Sequence, residues 1–512
     1  MIAITRTSTL RGIEGIDVTV EADSSRGLPS FHVVGLGDAA VKEAGERVRT
    51  AILNGGFDYP KGRVTVNLYP AWIRKKGSHF DLAIASGLLV LTGVIAQKHL
   101  DGNVFIGELS LEGKLIPVRG VLPMLVGLEE PFKRVFVPKG NAKEAYLALR
   151  GRGCEVIGVE NLTELVELLL KKKDPDEIIT EDVITDDFKV PDFDEVKGHW
   201  AAKEAIVTAI SGGHGLLIMG SPGTGKTMLA KRIPTILPEM KPEEQLETSM
   251  IYSLTGALDR ENPIILRRPF RRMSPRITEA GLLGGGNEPL PGEVSLAHNG
   301  VLFMDEFLEY PAKIIEALRK PMEDKKVNLI RRGIKYVFPS DFVLVGAANP
   351  CKCGYYGDSG KICKCTQQEL SKYRAKLSGP ITDRIDMMIE LTRVDYESLT
   401  AAPTISSEEM RERAEAALVI QGERFVGTGI RYNSQMDEAL IKEFCRLGRK
   451  EEELMEKAYM KYNLSPRRYF KVLMLARTLQ DLKGGGDLDH MSILAALNYT
   501  KFLNSYDRDL MD

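Results

Sequence analysis

The chain has 512 residues, 43% of them hydrophobic, and its 69 basic and 71 acidic residues give a formal net charge of −2. This length predicts about three domains of roughly 100–200 residues each, and the balanced charge means that any nucleic-acid site must be local. No run reaches the ~18 apolar residues of a membrane span, and the N-terminus lacks a signal-peptide pattern. We therefore expect a cytoplasmic protein without a membrane partner.

The first 170 residues have mixed strand and helix patterns. Residues 16–20 and 63–68 alternate or are β-branched, as strands are, whereas residues 39–53 and 83–91 have helical spacing. This part therefore predicts an α+β domain. Residues 171–194 are polar and acidic, which predicts a linker, and a helix over 201–210 follows it.

A glycine-rich segment follows an apolar run at residues 216–219 that is typical of a buried strand. The segment consists of Gly220, Ser221, Pro222, Gly223, Thr224, Gly225, Lys226 and Thr227. Its glycines let backbone N–H groups point at phosphate oxygens, and we predict a helix that starts near Lys226. The Lys226 ammonium can reach the β- and γ-phosphates of ATP, and the Thr227 hydroxyl can ligate Mg²⁺. This pattern predicts a phosphate-binding loop, or P-loop.

Two further apolar strands end in polar residues. Residues 301–304 lead to Asp305, which suits the Mg²⁺ shell, and to Glu306, which can polarise the attacking water. The alternative is a buried strand with a solvated acidic turn, but the order of the two motifs favours ATP hydrolysis. Residues 342–345 lead to Asn349, whose amide can contact that water or the γ-phosphate, with an ordinary Asn-Pro turn as the alternative.

Two segments carry clustered basic residues. Residues 327–338 predict a β-hairpin with Arg331, Arg332 and Lys335 near its tip, and these side chains can contact DNA phosphates without reading sequence. A run from 267 to 272 precedes the glycine-rich residues 284–286. An ordinary solvated loop is the alternative for both segments.

Four of the six cysteines are clustered, namely Cys351, Cys353, Cys363 and Cys365. Four thiolates this close can form a tetrahedral Zn²⁺ site, although the Cys-x-Cys spacing is tighter than the commoner Cys-x₂-Cys. Disulfides are disfavoured in a reducing cytoplasm, and the spacing differs from that of ferredoxins. We predict structural Zn²⁺, with unligated thiols as the alternative, and expect it to rigidify a subunit boundary. Cys154 and Cys445 are interpreted as packing residues.

From about residue 401 the chain is rich in Glu, Arg, Ala and Leu at helical spacing, which predicts an α-helical lid. The order of the P-loop, the Asp305-Glu306 strand and the Asn349 strand, followed by Asp-Arg-Ile-Asp at 383–386 and Leu-Ser-Pro-Arg at 464–467, resembles an AAA+ ATPase. More narrowly, the segments at 281–286, 291–300 and 317–324 resemble the magnesium-chelatase-like branch called ComM or YifB, and the resemblance covers nearly the whole chain.

The resemblance implies an α/β protein with three domains. Residues 1–170 would form a Lon-protease-like (ribosomal S5 domain 2-like) α+β domain. After the linker, residues 195–400 would form a P-loop AAA+ core, and residues 401–512 a lid of the magnesium-chelatase C-terminal type. The segment 194–200 resembles the part of AAA+ proteins that contacts adenine.

The resemblance also implies roles for two arginines. Arg384 would be an arginine finger that enters the neighbouring subunit's site, and Arg467 would be sensor 2, with Arg468 beside it. For a single arginine, a surface ion pair is the alternative. Family members often have Pro-His-His where this chain has Met-Ser-Pro at 273–275. The role of those histidines in the family is therefore not assigned to this chain.

The N-terminal domain lacks the catalytic pair of Lon. Residues 107–120 follow a Lon strand pair closely, but the stretch around residues 77–81 lacks the serine pattern and Leu122 replaces the lysine. Ser78 and His79 are adjacent, and neighbouring side chains seldom converge without a third group, so we interpret them as structural. We expect no peptidase activity.

The resemblance implies a homo-hexameric ring motor that uses ATP and Mg²⁺ to drive its hairpins along single-stranded or branched DNA. Such a motor would act in branch migration or as a helicase, in recombination or uptake of DNA during transformation. A magnesium-chelatase-like subunit is one alternative, but nothing in the chain resembles a tetrapyrrole site. A protein-remodelling ATPase is another, but it would need an aromatic pore loop, and the hairpin tip here is Arg-Arg-Gly.

Overall fold

The computed structural model describes residues 2–178, 190–358, 360–377, 383–394, 396 and 405–508. In chain order, the strands are β1 Ile2–Arg11, β2 Glu14–Ser25, β3 Ser30–Val34, β4 Arg63–Tyr69, β5 Asn103–Phe105, β6 Glu108–Leu109, β7 Leu115–Ile116, β8 Arg134–Pro138, β9 Glu155–Val159, β10 Leu216–Gly220, β11 Phe270–Met273, β12 Gly284–Gly285, β13 Leu290–Pro291, β14 Val301–Met304, β15 Lys326–Arg331, β16 Ile334–Pro339, β17 Val343–Ala348 and β18 Met387–Leu391. The α-helices are α1 Ala39–Asn54, α2 Asp81–Leu91, α3 Val121–Val126, α4 Ala142–Leu149, α5 Leu162–Leu169, α6 Trp200–Gly212, α7 Lys226–Arg232, α8 Pro242–Thr255, α9 Glu279–Leu283, α10 Glu293–Leu296, α11 Ala312–Ala317, α12 Arg319–Asp324, α13 Gln367–Arg374, α14 Ser407–Arg424, α15 Glu438–Phe444, α16 Arg449–Tyr462, α17 Pro466–Asp481 and α18 His490–Arg508.

The chain forms two compact units. The first consists of Met1–Asp186, Pro242–Ile265 and Ile330–Val337, and the second of Asp187–Lys241, Leu266–Leu329 and Phe338–Asp512. Part of the predicted linker, residues 179–189, lies outside the described residues, and the predicted domain boundaries stay predictions. None of the described helices is long and apolar enough to cross a membrane.

The first unit is built on a mixed seven-stranded sheet with the order β3-β4-β2-β1-β5-β8-β9. β2 pairs antiparallel with both β1 and β4, and the other neighbouring strands run parallel. Val64, Val66 and Leu68 alternate along β4 and are fully buried in the core formed with α1 and α2. Helix α2 has apolar residues on nearly every side, and almost all of its residues are buried. A helix that is apolar all round is typical of a protein core. The predicted strands and helices of this region are confirmed.

Helix α8 belongs to the first unit, although it follows the P-loop in sequence. Leu246 and Met250 of α8 pack against the core that contains α3 and α4. The Ser253 hydroxyl donates to the buried Glu144 carboxylate at 2.5 Å, and the Asn141 amide donates to the same group at 2.9 Å. Burial raises the pKa of Glu144 despite these hydrogen bonds. The segment is therefore fixed by both apolar packing and a buried polar contact.

Ser78 and His79 have separate surroundings in the first unit. The Ser78 hydroxyl hydrogen-bonds to the Glu108 carboxylate. His79 is buried beside Phe80, and burial lowers the pKa of its imidazole to about 4, so the ring is neutral at pH 7. This arrangement agrees with a structural role for both residues.

The second unit is built on a five-stranded parallel sheet with the order β11-β14-β17-β10-β18. Along β10, Leu216 and Ile218 join one hydrophobic core and Leu217 and Met219 the other, each at most 1% exposed. An unbroken apolar run is typical of a parallel strand covered on both faces, and burial of each such side chain contributes about 1.5–3 kcal/mol. The parallel order brings the loops after β10, β14 and β17 to one edge of the sheet.

Helices α14 to α18 pack into the core that also contains α6. Ser465 caps α17 by accepting a hydrogen bond from the Arg468 backbone N–H, and Pro466 occupies the first helical turn, where its missing N–H costs nothing. Asp481 is buried and accepts from Arg424 and Asn433. The predicted mixed α/β fold with C-terminal helices is confirmed.

Candidate active site

The predicted P-loop turns sharply from β10 into α7. Gly223 and Gly225 have φ values of +84° and +90°, a conformation that favours glycine. Helix α7 starts at Lys226, as its sequence predicts. His199, in the segment that resembles an adenine contact, lies beside this turn: a Cβ added at Gly225 would be 3.5 Å from His199 Nε2.

The Lys226 ammonium joins the P-loop to the end of β17. Its Nζ donates to the backbone carbonyls of Gly220 at 2.6 Å and Ser221 at 2.9 Å, and to Asn349 Oδ1 at 3.1 Å. Burial lowers the pKa of Lys226, partly opposed by the charge of Asp305. Two residues predicted to contact the γ-phosphate, Lys226 and Asn349, therefore meet although 123 positions separate them.

Thr227 and Asp305 lie together at the end of β14. The Thr227 hydroxyl oxygen is 3.3 Å from each carboxylate oxygen of Asp305. A hydroxyl and a carboxylate beside an ammonium fit a magnesium–nucleotide, because Mg²⁺ prefers oxygen ligands that it shares with phosphates. Glu306 follows with a φ of +54°, a conformation uncommon for a non-glycine residue and often found at functional sites.

Arg272 is a residue of this site that sequence reasoning missed. Its Nη2 atom is 2.8 Å from Asp305 Oδ2. β11 pairs with β14 so that Met273 stands opposite Met304, which places Arg272 close to the edge of the sheet where Asp305 lies. The sequence placed Arg272 only within a basic run. A cationic residue near the end of a strand parallel to the Asp305 strand is the signal that could have found it.

The position of Arg272 leads to a prediction about Mg²⁺. Arg272→Gln is expected to lower the Mg²⁺ concentration that half-saturates ATP hydrolysis by about twofold to fivefold, because an exposed cation no longer competes for Asp305. A Mg²⁺ titration of the ATPase rate at fixed ATP measures this. A higher half-saturating concentration would contradict competition and indicate that Arg272 helps to hold the magnesium–nucleotide.

The two arginines with implied roles converge on Glu323 of α12. Arg384 Nη2 and Arg467 Nη2 both contact Glu323 Oε1, the second at 3.2 Å. Arg384 is only 7% exposed, whereas the Arg467 side chain is 44% exposed. In this conformation, the predicted finger and sensor share one carboxylate.

The segment that carries Arg384 is held by a buried charged group. Asp386 accepts from the Gly215 backbone N–H at 2.9 Å, and Lys471 Nζ lies 2.6 Å from its carboxylate. Burial alone would raise the pKa of Asp386, but Lys471 and His214 bring it well below the usual range. The Asp386 carboxylate therefore ties β18 to α17 and fixes the chain just after Arg384.

The sulfur atoms of the four clustered cysteines all lie within 4.8 Å of one another. Cys351 and Cys353 are 3.4 Å apart, and Cys363 is 3.7 Å from Cys351 and 3.5 Å from Cys353. A tetrahedral zinc site with Zn–S bonds of about 2.3 Å places its sulfurs ~3.8 Å apart, so the four thiols fit this metal. Hydrogen bonds from backbone amides lower the pKa of Cys353 to about 6, and the largest effect comes from the backbone of Tyr355.

Cys154 and Cys445 are both free and lie outside the cluster. Cys445 is buried, and burial raises the pKa of its thiol to about 12. The environment of Cys445 agrees with the predicted packing role.

The predicted hairpin forms from β15 and β16. Arg332 and Gly333 make its turn with φ values of +51° and +77°, and Arg331, Arg332 and Lys335 are all exposed. Within the first unit, Lys76 lies against Tyr336 of β16, with its ammonium 5.8 Å from the ring centre. The basic tip is therefore presented to solvent, while Tyr336 in the middle of β16 is packed.

Three models of the magnesium chelatase subunit ChlI match the chain. The model of magnesium chelatase, subunit ChlI, covers residues 192–399, that of subunit ChlI of Mg-chelatase covers 20–141, and that of the ChlI C-terminal region covers 404–500.

Several bacterial proteins match nearly the whole chain. The competence protein ComM of Haemophilus influenzae is 37% identical over 505 residues, which is 97% of each chain. YifB of Escherichia coli is 34% identical over 500 residues, again 97% of each. The magnesium-chelatase 38 kDa subunit of Cereibacter sphaeroides is 28% identical over 176 residues, or 31% of this chain and 52% of that subunit.

The fold and the site define a P-loop ATPase with an AAA+ core. The full-length similarity then gives the family: the chain belongs to the ComM/YifB-like group of magnesium-chelatase-like AAA+ ATPases. The family implies ATP and Mg²⁺ as its nucleotide and metal. Lys226, Thr227 and Asp305 would hold them.

Proposed function

We propose that the protein is a cytoplasmic motor that couples ATP hydrolysis to movement along single-stranded or branched DNA. The observation that carries this proposal is the exposed Arg331, Arg332 and Lys335 cluster at the hairpin tip of an ATPase. Guanidinium and ammonium groups contact phosphates without reading base sequence, as a motor requires. The similarity to a competence protein supports a substrate encountered in DNA uptake or recombination.

The motor is proposed to be a homo-hexameric ring that performs branch migration or unwinding. The basis for a ring is Arg384, which resembles a finger that completes the site of an adjacent subunit. A ring presents several hairpins to one strand, so the positive charge of each tip adds to that of its neighbours. The four-cysteine cluster is proposed to hold Zn²⁺, since its sulfur positions suit a tetrahedral ion.

The ATPase rate with and without DNA tests this proposal. Single-stranded, duplex and four-way-junction DNA are each added at low and at high salt. We expect single-stranded or branched DNA to stimulate the ATPase rate, and this stimulation to weaken as the salt concentration rises. In Arg331→Ala/Arg332→Ala, the DNA-stimulated part of the rate is expected to fall about tenfold or more, because each subunit loses two phosphate-binding cations.

The matched control is Arg449→Ala/Lys450→Ala, which removes two adjacent exposed cations at the start of α16. This variant is expected to keep its stimulation by DNA. Equal loss in both double variants would mean that net charge rather than the hairpin matters. No response of the wild-type protein to any DNA would contradict the motor and favour a protein substrate.

A further inference from the structure

The loop that carries the four cysteines lies against the P-loop. Gly354, between the two cysteine pairs, has a φ of +86°, and a Cβ added there would be 2.7 Å from both Cγ and Cδ of Pro222. The backbone of the cysteine loop thus occupies the space beside the P-loop without room for a side chain. A shift of this loop would release or displace Pro222.

A buried carboxylate makes a second contact between the same two loops. The Asp358 side chain is only 3% exposed, and the neighbouring Ser221 hydroxyl lowers the pKa of its carboxyl. It also accepts from the backbone N–H groups of Gly360 and Lys361, each at 2.9 Å, and pairs with Arg393 at 3.4 Å. Asp358 therefore joins the backbone of Gly360 and Lys361 to the surroundings of Ser221 in the P-loop.

The third connection runs along the chain. Cys351 is fully buried and lies two residues after Asn349, whose Oδ1 accepts from Lys226. An ion bound to Cys351 would restrain the end of β17, and with it the acceptor that positions the Lys226 ammonium. The cysteine cluster thus reaches the P-loop through Pro222, Ser221 and Lys226.

We propose that the cysteine cluster binds Zn²⁺ in order to position the P-loop, so that the zinc content of the protein sets its affinity for ATP. The proposal rests on the zinc site proposed above, and Asp358 is its positioning residue. Removal of zinc would free the loop between Cys353 and Cys363, and the Asp358 contact with Ser221 would be lost with it. The sequence predicts that zinc rigidifies a subunit boundary, and that stays a prediction. The contacts of Gly354 and Asp358 add that the cluster lies beside the P-loop of the same chain.

The test compares zinc content with equilibrium binding of a fluorescent ATP analogue in the full-length protein without DNA. Cys363→Ser/Cys365→Ser is expected to lose its zinc and to bind the analogue about tenfold more weakly. Asp358→Ala is expected to keep about one zinc per chain and still bind roughly five- to tenfold more weakly, as loss of one polar contact beside the P-loop predicts. Asp358→Asn keeps an acceptor for Ser221 and is expected to recover part of the affinity.

The matched control is Ile362→Ser, which changes a 90% exposed side chain in the same loop and is expected to keep both zinc and affinity. Thermal melting identifies variants that fail to fold, and Asp358→Ala keeps the test decisive if the double cysteine variant unfolds. Unchanged affinity in folded protein that lacks zinc, or in Asp358→Ala, would overturn the inference. Wild-type protein that binds nucleotide without zinc would also overturn it, while the DNA-motor proposal would stand or fall by the stimulation assay alone.

Discussion

Glu306→Gln is expected to lower the rate of ATP hydrolysis by about 10²–10⁴-fold while ATP still binds. The amide has the shape of the carboxylate but cannot polarise the attacking water. Because Lys226, Thr227 and Asp305 are unchanged, the residues that would hold the phosphates and Mg²⁺ stay in place. Steady-state phosphate release gives the rate, and a fluorescent ATP analogue gives the affinity.

Two further variants serve as controls for Glu306→Gln. Lys226→Ala is expected to lose nucleotide binding as well as hydrolysis, because the half-buried ammonium that would pair with the phosphates is gone. Glu309→Gln makes the same chemical change at an exposed position three residues beyond Glu306 and is expected to stay within about twofold of the wild-type rate. Hydrolysis by Glu306→Gln close to the wild-type rate would mean that another group activates the water.

The sequence alone located the P-loop, the Asp305 strand and the Asn349 strand because their signals are local. Four consecutive apolar residues in β10 or β14 predict a strand buried on both faces, and glycines at 223 and 225 are required by their positive φ values. Parallel pairing then brings the strand ends together without further information. These parts of the site needed only the order of motifs along the chain.

The partners of those residues could not be predicted from local patterns. The contacts of Arg272 with Asp305, of Glu323 with Arg384 and of Gly354 with Pro222 join segments 33 or more positions apart. A sequence does not distinguish a basic or acidic side chain that is solvated from one that is paired with another side chain. Helix α8 is a similar case. Its apolar face indicates that it packs against a core, but it does not indicate which core.

Arg384→Ala is expected to lower ATP hydrolysis about 10³-fold with nucleotide binding preserved, as for loss of an arginine finger. Arg384→Lys is expected to recover little of this rate, since an ammonium lacks the planar fork of the guanidinium. Glu323→Gln is also expected to hydrolyse more slowly, because Arg384 is buried and Glu323 is the carboxylate that fixes its orientation. Rates measured at saturating ATP separate these effects from weaker binding.

Mixing inactive variants tests whether the finger acts between subunits. Lys226→Ala lacks a working nucleotide site but keeps Arg384, whereas Arg384→Ala keeps its site and lacks the finger. In a mixed ring, about a quarter of the interfaces would combine an intact site with an intact finger, so activity is expected to return on mixing. A mixture that stays inactive, although both variants are folded and Arg384→Ala binds nucleotide, would contradict a finger in trans. Arg384 would then act within its own chain through the contact with Glu323.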